Sequence, residues 1–166
     1  MAAGNTYKQI ASTTLGSAAA SVTFSSIAGT YTDLVLVCNP IITTTNDQIA
    51  IRLNGDTGTN YSRTILAGNG TTTASYQGSS EGYAYTGYYS TLHTNPTTNI
   101  FHFMNYSNAT TYKTLLGRSS SADTTALVSV NLWRSTSAIT SIVLTIAGAT
   151  NFDAGSTFNL YGITAA

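Results

Sequence analysis

Charged residues are scarce in this chain of 166 residues: they make up 7% of the total, and the formal net charge is zero. Nucleic-acid binding needs a cluster of basic side chains, whereas the basic residues here are scattered along the sequence. They are Lys8, Arg52, Arg63, Lys113, Arg118 and Arg134. We therefore expect no nucleic-acid partner. A surface with so little charge gives weak repulsion between molecules, which favours association with other protein chains.

Cysteine and long apolar runs are also scarce. A single cysteine, Cys38, excludes an internal disulfide, and its apolar surroundings predict a buried small hydrophobe. No stretch reaches the ~18 consecutive apolar residues of a transmembrane helix, so no membrane partner is expected. The first residues lack the basic segment and long apolar run of a secretory signal, so none is predicted.

Short runs that alternate between apolar side chains and Ser or Thr dominate the chain, and hydrophobic residues reach 42%. Such alternation is typical of half-buried strands, and turn signals recur at intervals of roughly 8–15 residues. No stretch has a helical period. The sequence predicts one domain over residues 1–166, with an all-β fold. We expect an antiparallel β-sandwich of about 8–10 strands, with a jelly roll as the favoured topology.

The same alternation predicts which side chains form the core, because residues two apart in a strand share a face. We expect these side chains to be buried: Val22, Phe24, Leu34, Leu36, Ile49, Ile51, Val128, Val130, Leu132, Ile142, Leu144, Ile146, Phe158 and Leu160.

The residues that catalysis would need are few and unfavourably placed. The two histidines, His93 and His102, have no Gly-x-Ser-x-Gly elbow or comparable context for a hydrolytic triad. His102 alternates with Phe101 and Phe103 in a predicted strand. A glycosidase needs two positioned carboxylates, but the six acids lie mostly in turns, where Asp is common. The sequence therefore predicts no enzyme and no cofactor.

The loop from Asn54 to Asn60 concentrates Asx residues and glycines. Asn54, Asp56 and Asn60 offer oxygens to a calcium ion, but their spacing does not match an EF-hand loop. Asx side chains that bond the loop's own backbone explain the pattern more simply. We therefore expect no metal site here.

Two stretches carry a family resemblance. The run Asn54-Gly-Asp-Thr-Gly-Thr-Asn-Tyr61, after the strand Ile49-Ala-Ile-Arg-Leu53, resembles a loop of small bacteriophage virion proteins. The run Phe152-Asp-Ala-Gly-Ser-Thr-Phe-Asn-Leu-Tyr-Gly-Ile163 is similar to the close of the same proteins. The likeness spans most of the chain from Tyr31 onward. It implies a jelly-roll-like domain of a capsid decoration protein or of a tail or fibre tip, frequently a trimer.

A tyrosine cluster is the most informative patch for function. Five of the eleven tyrosines fall between positions 76 and 89, among glycines and serines: Tyr76, Tyr83, Tyr85, Tyr88 and Tyr89. Tyrosine provides a large contact area at little entropic cost, so we interpret the cluster as a partner interface. Packing on a strand surface and stacking on a sugar ring remain open for the same residues.

These observations favour a non-enzymatic structural protein of a bacteriophage virion. A single compact domain without a stalk favours a capsid decoration or cement protein, expected to be a homotrimer on the capsid surface. Its partners would be the major capsid protein or neighbouring virion proteins. A tail or fibre module for host attachment is the first alternative. A carbohydrate-binding module, with a glycan as partner, is the second.

Overall fold

The computed structural model describes residues 6–43, 47–86, 92–95, 97–121 and 125–164. Within these ranges the chain forms twelve strands and no helix, so the prediction of an all-β fold is confirmed. The strands are β1 Tyr7–Thr14, β2 Ser21–Phe24, β3 Asp33–Asn39, β4 Ile49–Leu53, β5 Tyr61–Gly68, β6 Thr73–Glu81, β7 Ala84–Tyr85, β8 Thr98–Met104, β9 Lys113–Ser121, β10 Thr125–Trp133, β11 Ile142–Ile146 and β12 Thr157–Ile163.

The strands form two antiparallel sheets, as a β-sandwich requires. The larger sheet has eight strands in the order β1-β12-β3-β8-β9-β10-β5-β6, and the smaller has four in the order β2-β11-β4-β7. Two hairpins, β5–β6 and β9–β10, lie side by side at one end of the larger sheet. The strand count exceeds the predicted eight to ten because the Gly-, Ser- and Tyr-rich stretch, which lacks clear alternation, forms β6 and the two-residue β7.

A single apolar core lies between the sheets, and most of the predicted core residues belong to it. All the predicted positions outside β10 are buried, at 5% exposure or less. The fully buried rings of Phe152 and Phe158 meet edge to face, with centroids 5.0 Å apart. Cys38 is also fully buried, as predicted, and burial raises the pKa of its thiol.

The core prediction for β10 is wrong, because it assigns the opposite face of the strand to the core. Val128 and Val130 are 44% and 46% exposed, and Leu132 is only half-buried. The buried face of the strand is instead Leu127, Ser129, Asn131 and Trp133. Distant hydrogen bonds favour this face.

Two side chains of the buried face, Asn131 and Trp133, decide the orientation of β10. The Asn131 side-chain amide both accepts from the Tyr85 N–H at 3.0 Å and donates to the Tyr85 carbonyl at 3.1 Å. The Trp133 indole stacks on Tyr61, with ring centroids 6.4 Å apart, and is 2% exposed. A one-residue shift would move every side chain of β10 to the opposite face of the sheet.

Candidate interaction surface

The three tyrosines of the cluster that the structure describes, Tyr76, Tyr83 and Tyr85, lie at the β6 end of the larger sheet and the β7 edge of the smaller one. Tyr76 is in β6, directly across from Ile65 of β5. Tyr83 precedes β7, and Tyr85 belongs to it. All three are half-buried. Tyr88 and Tyr89 lie outside the described residues, so the interface assigned to the whole cluster stays a prediction.

Tyr83 and Tyr85 each cover an arginine. The Arg52 guanidinium lies 4.0 Å from the centroid of Tyr83, and the Arg63 guanidinium lies 4.3 Å from that of Tyr85. The two rings contact each other at 5.7 Å with a tilt of 48°. Arginine over an aromatic face is attracted by the ring quadrupole. The two pairs hold both rings in place.

A further ion pair extends this network along β6. Arg63 Nη2 lies 3.5 Å from Glu81 Oε1, and Arg63 Nη1 donates to Gln48 Oε1 at 3.4 Å. A side chain at Gly78 would overlap the Glu81 carboxylate, so glycine leaves the space in which Arg63 and Glu81 meet. Because Arg63 is neutralised by Glu81 and covered by Tyr85, its charge is largely masked. The tyrosine patch therefore presents aromatic and polar surface with little net charge.

The histidines are placed apart in the fold. His102 lies in β8 on the outer face of the larger sheet, and its Nε2 is 2.8 Å from Asp33 Oδ2. Asp33 Oδ1 accepts the Asn105 N–H at 2.6 Å. The pair links β8 to the first residue of β3. His93 follows the isolated bridge residue Leu92, and its carbonyl accepts the Ile42 N–H at 3.2 Å.

The Asx loop is held by its own hydrogen bonds and by contacts with neighbouring segments. Asn54 Oδ1 accepts the backbone N–H groups of Thr140 and Ser141 at 2.8 Å and 3.1 Å. Asp56 Oδ1 accepts the Gly58 N–H at 2.8 Å, and Asp56 Oδ2 accepts the Trp133 indole N–H at 2.7 Å. These donors occupy the oxygens that a calcium ion would use. No group of three or more His, Cys, Asp or Glu side chains in the described ranges is arranged to hold a metal ion.

The Asp56 carboxylate connects the loop to the core. Burial alone would raise its pKa, but hydrogen bonds from Trp133, Asn60 and Gly58, together with the charge of Arg52, outweigh burial and lower the pKa below its ordinary value. A carboxyl with a lowered pKa stabilises the fold above its unfolded pKa, and this contribution is lost as the pH falls through the folded pKa.

We predict that Asp56→Ala lowers the free energy of unfolding by about 1–3 kcal/mol at neutral pH, because the buried Trp133 N–H loses its acceptor. Asp56→Asn keeps an acceptor oxygen and is the matched control, with a smaller loss. In urea unfolding below pH ~4, the stability difference between wild type and Asp56→Asn should shrink. The stabilisation given by the wild-type carboxylate is lost as the pH falls from the unfolded pKa of this group through its lowered folded pKa. Equal stability of wild type and Asp56→Ala at neutral pH would contradict the role of this hydrogen bond.

One surface feature was missed by the sequence analysis. Four of the six most exposed large hydrophobic residues in the described chain lie on the outer face of the larger sheet: Leu66, Met104, Val128 and Val130. The signal was present in the alternation of β10, but its apolar positions were assigned to the core. This face is named the outer apolar face below.

Among the described residues, no helix is long and apolar enough to cross a bilayer. No protein-family model matches the chain, and a search of curated proteins likewise gives no match.

Proposed function

We propose that this chain is a non-enzymatic structural protein of a bacteriophage virion, which decorates or cements the capsid as a homotrimer. The observation that carries the proposal is the fold. It is a charge-poor, two-layer β-sandwich with an ordered, weakly charged aromatic patch at one end. Such a domain is suited to packing against other proteins rather than to chemistry on a small substrate.

The strand order supports a jelly-roll topology. If the two added hairpins are set aside, the larger sheet reads β1-β12-β3-β8 and the smaller reads β2-β11-β4-β7. Consecutive strands of this set then lie in opposite sheets, except for β4 and β7, which are both in the smaller sheet. This is the arrangement expected for two Greek keys wrapped into one sandwich. The hairpins β5–β6 and β9–β10 extend one sheet of that arrangement. Jelly rolls are common among viral capsid domains, which is consistent with the resemblance in the sequence.

The tyrosine cluster is the surface we assign to the partner. Interface centres favour Tyr and disfavour Lys and Glu, and the charges beside Tyr83 and Tyr85 are already paired or covered. A contact made largely by aromatic surface should weaken little with added salt. The partner would be a second copy in the trimer, the major capsid protein or a neighbouring virion protein.

A tail or fibre module for host attachment and a carbohydrate-binding module remain the alternative functions. The tilted pair of half-buried Tyr83 and Tyr85 favours the second of these, because aromatic rings can stack on sugars. Specific retention on a glycan array would support the carbohydrate-binding function. Mass measurement on whole particles, giving copies per virion, distinguishes a capsid from a tail location.

We predict that replacing Tyr83, Tyr85, Tyr88 and Tyr89 with Ser abolishes retention on virions and lowers the trimer mass. The matched control replaces the same four residues with Phe. Phe keeps the ring area and the stacking on Arg52 and Arg63, and should retain most of the binding. Sedimentation and co-purification with particles are the measurements. If the Ser variant folds and both readouts stay at wild-type levels, the partner site lies elsewhere.

A further inference from the structure

Two buried polar atoms of the larger sheet have no hydrogen-bond partner among the described residues. They are Asn99 Oδ1, in β8, and Ser119 Oγ, in β9. Asn99 is 0% exposed and Ser119 is 3% exposed. A buried polar group that stays unpaired is costly, so a partner is expected for both atoms.

The two side chains are neighbours on the inner face of the sheet. Asn99 lies directly opposite Ser119 in the antiparallel pair of β8 and β9. Directly opposed residues place their β-carbons about 4.5–5.5 Å apart on one face. The flanking residues of the same row are Cys38, opposite Asn99, and Leu127, opposite Ser119. A thiol is a weak hydrogen-bonding group and leucine has none, so neither flank provides the missing partner.

A third polar group belongs to the same place. Thr97, two residues before Asn99, is 4% exposed, and its hydroxyl oxygen accepts the Asn99 side-chain N–H at 3.2 Å. Because this hydroxyl is the acceptor in that bond, its own hydrogen remains for a second bond. The three side chains therefore offer one amide oxygen as an acceptor and two hydroxyls that can donate.

Buried polar side chains elsewhere in the sandwich complete their bonds within the protein. Ser156 Oγ bonds the N–H and the carbonyl of Ile41, at 2.9 Å and 3.3 Å. Ser129 Oγ accepts the Asn131 side-chain N–H at 3.4 Å. The remaining bonds of Asn99 and Ser119 call for a small polar molecule between them.

Water fits this set of groups. A buried water molecule makes about three hydrogen bonds to groups that otherwise lack partners. The three side chains are uncharged, whereas a calcium ion takes about six to eight oxygens, with carboxylates commonly among them. Ser119 and Leu127 also belong to the lining of a depression of about 730 Å³ at the turn ends of β5, β6, β9 and β10. This depression gives solvent a route to the row.

We propose that Asn99 and Ser119 bind one water molecule inside the sandwich, with Thr97 as the third partner. The water donates one hydrogen to Asn99 Oδ1 and the other to Ser119 Oγ, and it accepts the hydrogen of the Thr97 hydroxyl. Both unpaired oxygens are then satisfied, and the water joins β8 to β9 across their inner face. The inference goes beyond the proposed function and does not depend on it, because it concerns the interior of the fold.

A crystal structure of the full chain, at a resolution that shows ordered solvent, is the first test. We expect one water oxygen within about 2.5–3.0 Å of both Asn99 Oδ1 and Ser119 Oγ, the range for hydrogen bonds between oxygens. An absent peak, or a peak that bonds only one of the two atoms, overturns the proposal. So does a direct bond between the side chains, with the Asn99 amide turned so that its NH₂ group donates to Ser119.

The second test counts long-lived internal water molecules in solution, by the relaxation dispersion of solvent water. Ser119→Ala removes one partner of the water and keeps the backbone bonds of β9. Ser129→Ala is the matched control, because Ser129 is a fully buried serine of the same face whose hydroxyl is bonded to Asn131. Far-UV spectra establish that both variants are folded.

Ser129→Ala should give the same count as the wild type, and Ser119→Ala should give one water molecule fewer. An unchanged count in folded Ser119→Ala overturns the proposal, as does an equal fall in both variants. If Ser119→Ala does not fold, the wild-type crystal structure decides between the two outcomes, since it needs no variant.

Discussion

Phe158→Ala should lower the free energy of unfolding by about 3–5 kcal/mol, the range for removing a fully buried aromatic side chain from a close-packed core. Phe158 is 0% exposed and lies in β12, between β1 and β3. It stands directly opposite Cys38 on one side and Thr13 on the other. Truncation would also remove its edge-to-face contact with Phe152.

The loss is large relative to the about 5–15 kcal/mol that holds a typical domain together. Tyr112→Ala is the control, because the same truncation at a side chain that is 55% exposed should change stability by less than about 0.5 kcal/mol. Urea denaturation measures the change in free energy of unfolding for both variants, provided that their m-values equal that of the wild type. A loss below about 1 kcal/mol for Phe158→Ala would mean that the core closes around the missing ring.

Gly162→Ala should cost about 1–3 kcal/mol through overpacking. Gly162 lies in β12, and the Tyr31 ring packs directly on its α-carbon, so an added methyl group would overlap the ring. The Tyr31 backbone is held beside Gly162, since its N–H donates to the hydroxyl of the fully buried Tyr106 at 3.3 Å. Glycine is needed here for space.

A double-mutant cycle with Tyr31→Ala isolates this contact. Removing the ring should make Gly162→Ala much less destabilising, with a coupling energy of about 1 kcal/mol or more between the two positions. Gly16→Ala is the control, because its added methyl group would meet no atom within 4 Å. If the two changes at positions 162 and 31 are additive, the destabilisation has another cause.

Strong contrasts between the two faces of a strand made much of the fold predictable. In β2, large apolar side chains alternate with Ser and Thr, so only one face can enter the core, and the predicted Val22 and Phe24 are buried there. Turn-forming residues between the strands and the lack of a helical period were enough to predict an antiparallel all-β sandwich. Asn and Asp in the loop after β4 predicted local side-chain hydrogen bonds, and the loop contains them.

The candidate site could be predicted from the sequence only in part, because its contacts join residues that are distant in sequence. The tyrosine cluster was visible as composition, but nothing local indicates that Arg52 lies under Tyr83 or that Arg63 lies under Tyr85. Those pairs form because β4, β5 and β7 are brought together by the sandwich. The outer apolar face was likewise hidden, since it exists only when β8, β9, β10 and β5 are neighbours.

By itself, the sequence determined the strand-forming segments other than β6 and β7, the turns between them and the buried face of strands with one apolar side. Tertiary structure decided the strand order and the orientation of β10, in which both faces carry apolar residues. There, Asn131 and Trp133 satisfy their polar atoms with the backbone of Tyr85 and the carboxylate of Asp56. Buried hydrogen-bonding groups without partners are costly, so these distant partners outweighed the hydrophobicity of Val128 and Val130.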